Sequence, residues 1–123
     1  MSTLTASPNA YRETAVLSAP PEMLVVMLYD GAHRFLFQAT VAMREGKIEL
    51  CNRKLGRAED IIAHLRSVLD MDQGEIAHNL ESIYEFCLRQ LRQSRFDRDP
   101  AVLEQVDSLL GQLRESWATI ASR

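Results

Sequence analysis

The scarce residues in this chain already exclude several kinds of protein. Four prolines and five glycines in 123 residues leave long segments unbroken, which argues against a disordered chain. There are two cysteines, Cys51 and Cys87, and neither has a CxxC partner. Both fall on stripes expected to face a core, so they read as small buried hydrophobes rather than a disulfide framework or a redox pair. Charge of one sign is not in excess: 14 Lys and Arg stand among 17 Asp and Glu, for a formal net charge of -3. That mild, mixed balance suggests neither a nucleic-acid surface nor an anionic-membrane surface. No apolar run approaches the roughly 18 residues that span a bilayer, and Met1 to Pro8 lacks both a basic start and an apolar signal core. The expectation is a cytoplasmic, single-domain protein with no membrane insertion.

What is present is helical period. Hydrophobic residues make up 46% of the chain, enough to bury about two thirds of the unfolded surface without a metal or a disulfide. After Ala19-Pro20-Pro21-Glu22 comes an unbroken apolar run, Met23 to Tyr29, which reads as the opening of a long helix and asks to be covered on nearly all sides. The first block runs from about Glu22 to Arg44 and is closed by Gly46. A second spans about Ile48 to Leu69. Asp72 and Glu75 stand at capping-box spacing, so a third helix is expected to start there and reach about Gln93. Asp99-Pro100 supplies an N-cap and first-turn proline for a fourth, about Ala101 to Ile120. Four blocks of similar length joined by short connections predict an all-α, antiparallel up-down four-helix bundle over residues 22–123. Residues 1–21 are expected to be a separate N-terminal segment, with a short helix around Asn9 to Leu17.

Chemistry is sparse. Glu75 and His78 have the Glu-x-x-His spacing of di-iron bundles, but those sites need two such motifs and further core carboxylates, and there is one copy here. Asp70, Asp72 and Glu81 imitate a calcium loop, yet glycine comes one place early and Ile76 to Glu81 reads as helix. No Walker loop, nucleophile elbow or dinucleotide fingerprint occurs. No catalytic residue, cofactor or metal is assigned, and binding through apolar surface is favoured over enzymology.

The apolar stripes carry the remaining information. In the fourth block Val102, Val106, Leu109, Leu113 and Trp117 share a stripe, with Leu103 and Leu110 at its edge. In the second block Cys51, Leu55, Ala58, Ile62, Leu65 and Leu69 form the main stripe. A further set, Leu50, Ile61 and Val68, lies about 80 to 100° around the cylinder. Phe86 falls about 60° outside the apolar arc of the third block. These four residues either complete a wide core or line apolar grooves for another amphipathic segment. Tyr29 reads as structural, its hydroxyl bonded to a neighbouring helix, and Gly31 as a site of close helix approach.

Several fragments in order resemble the flagellar secretion chaperone family, FliS. They are Asn9-Ala10-Tyr11, Ala19-Pro20-Pro21-Glu22-Met23-Leu24 and Met27-Leu28-Tyr29-Asp30-Gly31-Ala32. Further along come Ala58-Glu59-Asp60-Ile61-Ile62, Leu69-Asp70-Met71-Asp72, Gly74-Glu75-Ile76, Asn79-Leu80, Tyr84 and Leu113-Arg114-Glu115-Ser116-Trp117. One departure is visible: Pro20 stands where the family has Ser or Thr, so no capping hydroxyl is available there, and Ser18 is the substitute to test. The resemblance implies four long helices plus a short N-terminal one, no catalytic activity, and a client. That client is the disordered C-terminal segment of flagellin, delivered to the flagellar type III export gate. It also implies that the N-terminal segment, with Tyr11 as the family's characteristic tyrosine, is associated with the binding region. The expected flagellin-binding residues are Tyr11, Val16, Leu50, Ile61, Val68 and Phe86, with Tyr11 and Val16 on a lid. The chain is expected to be a monomer or weak homodimer. The rival reading is a regulatory or structural bundle that buries the same stripes against a second copy.

Overall fold

The computed structural model describes residues 15–18 and 21–122. Four helices account for nearly all of them: α1 Glu22–Arg44, α2 Ile48–Ser67, α3 Glu75–Asp97 and α4 Pro100–Ala121. A single 3₁₀ turn, Met71–Gln73, links α2 to α3. Among the described residues there is no strand, only an isolated antiparallel bridge between Leu17 and Leu69. α1 packs against α2 and α4, and α3 packs against the same two, so α3 sits diagonally across from α1. Ion pairs fix the directions. Glu59–Arg95 and Arg66–Glu85 join α2 to α3, while Asp30–Arg114 and Arg44–Glu104 join α1 to α4. In each pair of helices one residue number rises as the other falls, so neighbours are antiparallel, as expected for an all-α up-down bundle.

The stop signals act through backbone chemistry. At Gly46, φ is +74°, and the amides of Gly46 and Lys47 donate to the carbonyls of Met43 and Ala42, closing α1 with a Schellman motif. Asp99 caps α4 by accepting from the Ala101 amide at 3.0 Å, with Pro100 in the first turn. The expected capping box at Asp72 and Glu75 does not form. The 3₁₀ turn intervenes, Asp70 accepts from the Asp72 amide, and α3 starts after Gly74 at φ +74°, a conformation that disfavours any residue with a β-carbon. α2 also ends at Ser67, short of Leu69, and α3 runs on to Asp97, past Gln93. The N-cap of α1 is Pro21, with no side-chain capping bond, and the Ser18 hydroxyl donates to the Val68 carbonyl instead of serving α1.

The core lies along the bundle axis. Tyr29, Leu36, Leu55, Ile62, Leu65, Tyr84, Leu91, Leu103 and Leu110 are among its largest side chains. Cys51 and Cys87 are buried free thiols, and burial pushes the Cys87 thiol up to about 11. Two expectations about faces are corrected. In α4 the buried stripe is Leu103, Val106, Leu110, Trp117 and Ile120, while Val102, Leu109 and Leu113 are only half-buried. The helix is rotated because it must face both α1 and α3. In α1 the opening run is not covered all round: Met23, Leu24 and Met27 are exposed, since a helix at the corner of a four-helix square has neighbours on two sides only.

Candidate docking grooves

Among the described residues, two apolar grooves and a polar one stand out along the bundle. The first lies between α1 and α2. Its register is set where a β-carbon on buried Gly31 would stand 3.2 Å from Ile61 Cδ1, and where the Lys54 ammonium lies 5.6 Å from the centre of the Phe35 ring. Helical spacing puts Leu24, Leu28, Gly31 and Phe35 on the α2-facing stripe of α1. Leu50, Lys54, Ile61 and Val68 answer it from α2 and its end. Leu28, Phe35, Leu50, Ile61 and Val68 are half-buried against the core, and Leu24 is exposed. This groove is therefore a line of apolar side chains packed from below and open above.

The second groove lies between α3 and α4. Ile76, Asn79 and Leu80 face Leu113, Ser116 and Trp117 across a space of about 180 Å³. Phe86, exposed, follows Asn79 by seven residues and so lies within about 20° of it around α3, extending the same side of the helix. The polar groove, between α1 and α4, carries Asp30 with Arg114 and His33 with Asp107. The Arg114 guanidinium bonded to Asp30 holds that carboxyl below the usual carboxylate range.

The N-terminal segment meets the bundle beside the α1–α2 groove. Residues 16–18 run antiparallel to residues 68–70: the Ser18 amide donates to the Val68 carbonyl at 3.0 Å and the Asp70 amide donates to the Val16 carbonyl. Val16 and Leu17 are fully buried in the core cluster. The structure thus puts Leu50, Ile61 and Val68 on one stripe, with Val16 buried where the N-terminal segment pairs with residues 68–70 and Phe86 exposed on α3. Tyr11 lies outside the described residues. Sequence reasoning put Ile76 and Leu113 on core stripes and did not single out Leu24, and all three line the grooves. The available signal was the breadth of the apolar arcs, wider than a single face on both α1 and α4.

Beneath the grooves the Tyr29 and Tyr84 hydroxyls meet at 2.5 Å, joining α1 to α3 across the core. Burial raises the pKa of both. For Tyr29 the neighbouring Tyr84 raises it further. Both phenols stay protonated, as a neutral core pair requires. The structural role expected for Tyr29 is thereby met, and so is the close approach expected at Gly31.

Among the described residues no group of His, Cys, Asp and Glu is arranged to hold a metal ion, and none of the helices is long and apolar enough to cross a membrane. Glu75 and His78 are both exposed at the start of α3. Fold and grooves define a helical bundle that presents apolar channels between its helices. The sequence match is more specific: the family described as Flagellar protein FliS matches residues 4–123. The Flagellar secretion chaperone FliS of Vibrio cholerae is 38% identical over 117 residues, covering 91% of this chain and 86% of that protein. The protein of the same name from Salmonella typhimurium is 35% identical, over 90% of this chain and 84% of its own length. The Flagellar secretion chaperone FliSB of Pseudomonas aeruginosa is 33% identical, over 89% and 87%. The chain belongs to the FliS family of flagellar secretion chaperones.

Proposed function

We propose that this protein is a cytosolic, non-catalytic export chaperone that holds the disordered C-terminal segment of flagellin, prevents its premature polymerisation, and delivers it to the flagellar type III export gate. The observation that carries this reading is the open α1–α2 groove, where Leu50, Ile61 and Val68 stand half-buried in a line with Leu24 and Phe35. An amphipathic segment folding as it binds can set apolar residues at helical spacing into such a line. The α3–α4 groove, with Phe86 at its flank, offers a second stretch for a client long enough to wrap the bundle. Coupled folding covers much surface at moderate affinity, because ordering the client costs entropy, and moderate affinity suits a carrier that must release its cargo.

The segment of residues 1–21 acts in this reading as a lid, Val16 filling the core end that adjoins the groove and Tyr11 lying on the same segment. The test is isothermal titration with a peptide of about the last 40 residues of the organism's own flagellin, with circular dichroism on the mixture. Saturable one-to-one binding with helix gained beyond the sum of the parts is expected, and Ile61→Asp and Phe86→Asp should each weaken it. A well-folded protein that binds no peptide would sink the reading and favour the rival bundle.

A further inference from the structure

Neighbouring helices in this bundle are cross-linked unevenly. Among the described residues, Glu59–Arg95 and Arg66–Glu85 join α2 to α3, and Asp30–Arg114 and Arg44–Glu104 join α1 to α4, but no ion pair crosses from α1 to α2. What stands at that seam instead is positive charge from both sides. The Arg34 guanidinium of α1 lies 5.6 Å from the centre of the Phe35 ring, and the Lys54 ammonium of α2 lies 5.6 Å from the same centre. Arg34 also leans over the contact at Gly31: a terminal nitrogen of its guanidinium stands 3.8 Å from where a β-carbon would be, beside Ile61. Arg57, exposed, follows Lys54 by three residues and precedes Ile61 by four, which sets it on the same side of α2.

Cations placed in this way repel one another, and the Phe35 ring attracts each without cancelling its charge. Among the described residues none of Arg34, Lys54 and Arg57 is in an ion pair. Asp30, which Arg34 helps to hold ionised, is bonded to Arg114 on the α4 side. Asp60, one turn beyond Arg57, is exposed and makes no ion pair either. The apolar line continues on both sides of the cations, with Leu50 before them on α2 and Ile61 and Val68 after. The α1–α2 groove is thus apolar at its ends and positive midway, with no carboxylate of its own to close the charge.

We propose that the segment received by this groove is an acidic amphipathic helix, whose apolar residues lie on Leu50, Ile61 and Val68 and whose carboxylates, at the border of that apolar face, meet Arg34, Lys54 and Arg57. The inference rests on the chaperone reading above and adds the chemistry by which the groove selects and places its client. Apolar contacts alone let a helix slide by a turn, whereas a charge that must meet its opposite fixes the register. From Leu50 to Ile61 the rise is about 16 Å, so the client's carboxylates fall between apolar residues one to two turns away on either side. A nucleic acid fits less well: the groove floor is apolar, and the chain carries a net charge of -3.

Titration of the full chain with the flagellin C-terminal peptide at about 0.05 M and about 0.5 M salt reads the charge contribution directly. Wild-type affinity should fall as salt rises. Lys54→Glu and, as a second variant, Arg34→Glu should each weaken binding by about three- to tenfold at low salt, with the far-UV spectrum and melting curve kept, and the gap from wild type should close at high salt. Arg92→Glu, a reversal at an exposed position of α3, controls for net charge and should shift affinity by less than about twofold. A peptide with its Asp and Glu replaced by Asn and Gln should bind the wild type and Lys54→Glu alike. Affinity indifferent to salt and to both reversals would overturn the inference and leave the chaperone reading standing. An equal loss in Arg92→Glu would also overturn it, since the effect would then belong to overall charge. So would reversals that abolish binding of a single-stranded oligonucleotide while sparing the peptide, which would assign the cations to phosphates. A well-folded wild type that binds no peptide at either salt would remove the chaperone reading and this inference together.

Discussion

Tyr29 and Tyr84 share a hydrogen bond in the core. Both hydroxyls are buried, and the bond between them serves a donor and an acceptor that water cannot reach. Tyr29→Phe leaves the buried Tyr84 hydroxyl unsatisfied, at a cost of about 1–3 kcal/mol, whereas in Tyr84→Phe the Tyr29 hydroxyl keeps the Trp117 side chain as a partner, and the double change removes both hydroxyls together. The expected outcome is that the double variant is destabilised by clearly less than the sum of the single ones. Urea denaturation of the four proteins measures this, and additive losses would mean that the pair does not act as a unit. The Leu-Tyr-Asp-Gly run already marks Tyr29 as a polar-tipped aromatic inside an apolar helix. Its partner was not legible, since Tyr84 stands 55 positions away and only the diagonal placement of α1 and α3 brings the two oxygens together.

At the scale of elements, the N-terminal segment is tied to the α2–α3 junction by few bonds but by two buried side chains. Ser18 and Val16 exchange backbone bonds with Val68 and Asp70, and Val16 and Leu17 fill the core end between them. Deleting residues 1–17 should lower stability by about 2–5 kcal/mol, the order of burying one valine and one leucine, and should open apolar surface that binds a hydrophobic dye. Denaturant midpoint and dye fluorescence report the two effects. If neither the stickiness of the free protein nor its affinity for the flagellin peptide changed, the lid reading would be wrong. The helix limits were readable wherever a single residue sets the backbone, as at Gly46 and Asp99. They were misread between α2 and α3, where Asp70 and Gly74 share a 3₁₀ turn whose geometry depends on strand-like pairing with residues far behind in the chain.

For the whole molecule, one core joins all four helices, and Trp117 sits buried in it at the α3–α4 groove. A chain of this size with a single contiguous core is expected to unfold as one cooperative unit. Tryptophan fluorescence, which reports Trp117, and far-UV circular dichroism, which reports all the helices, should therefore give coincident denaturation midpoints. Separated midpoints would show that the α3–α4 side opens independently.

The sequence by itself determined that the chain is an all-α bundle, where α1 and α4 begin, and, through a dispersed set of fragments matched in order, the family it belongs to. Those properties follow from local chemistry: helical period, caps, and residues that must stand at fixed spacings. Which apolar residues face the core and which face outward was decided only by the tertiary structure. Leu50, Ile61 and Val68 have the same periodicity whether they are sealed or open, and Met23 and Met27 belong to a run that looks fully buried on its own helix. Exposure is a property of neighbours: because α1 occupies a corner between α2 and α4, one arc of it is left without a partner, and no count along the chain can register a helix that is not there.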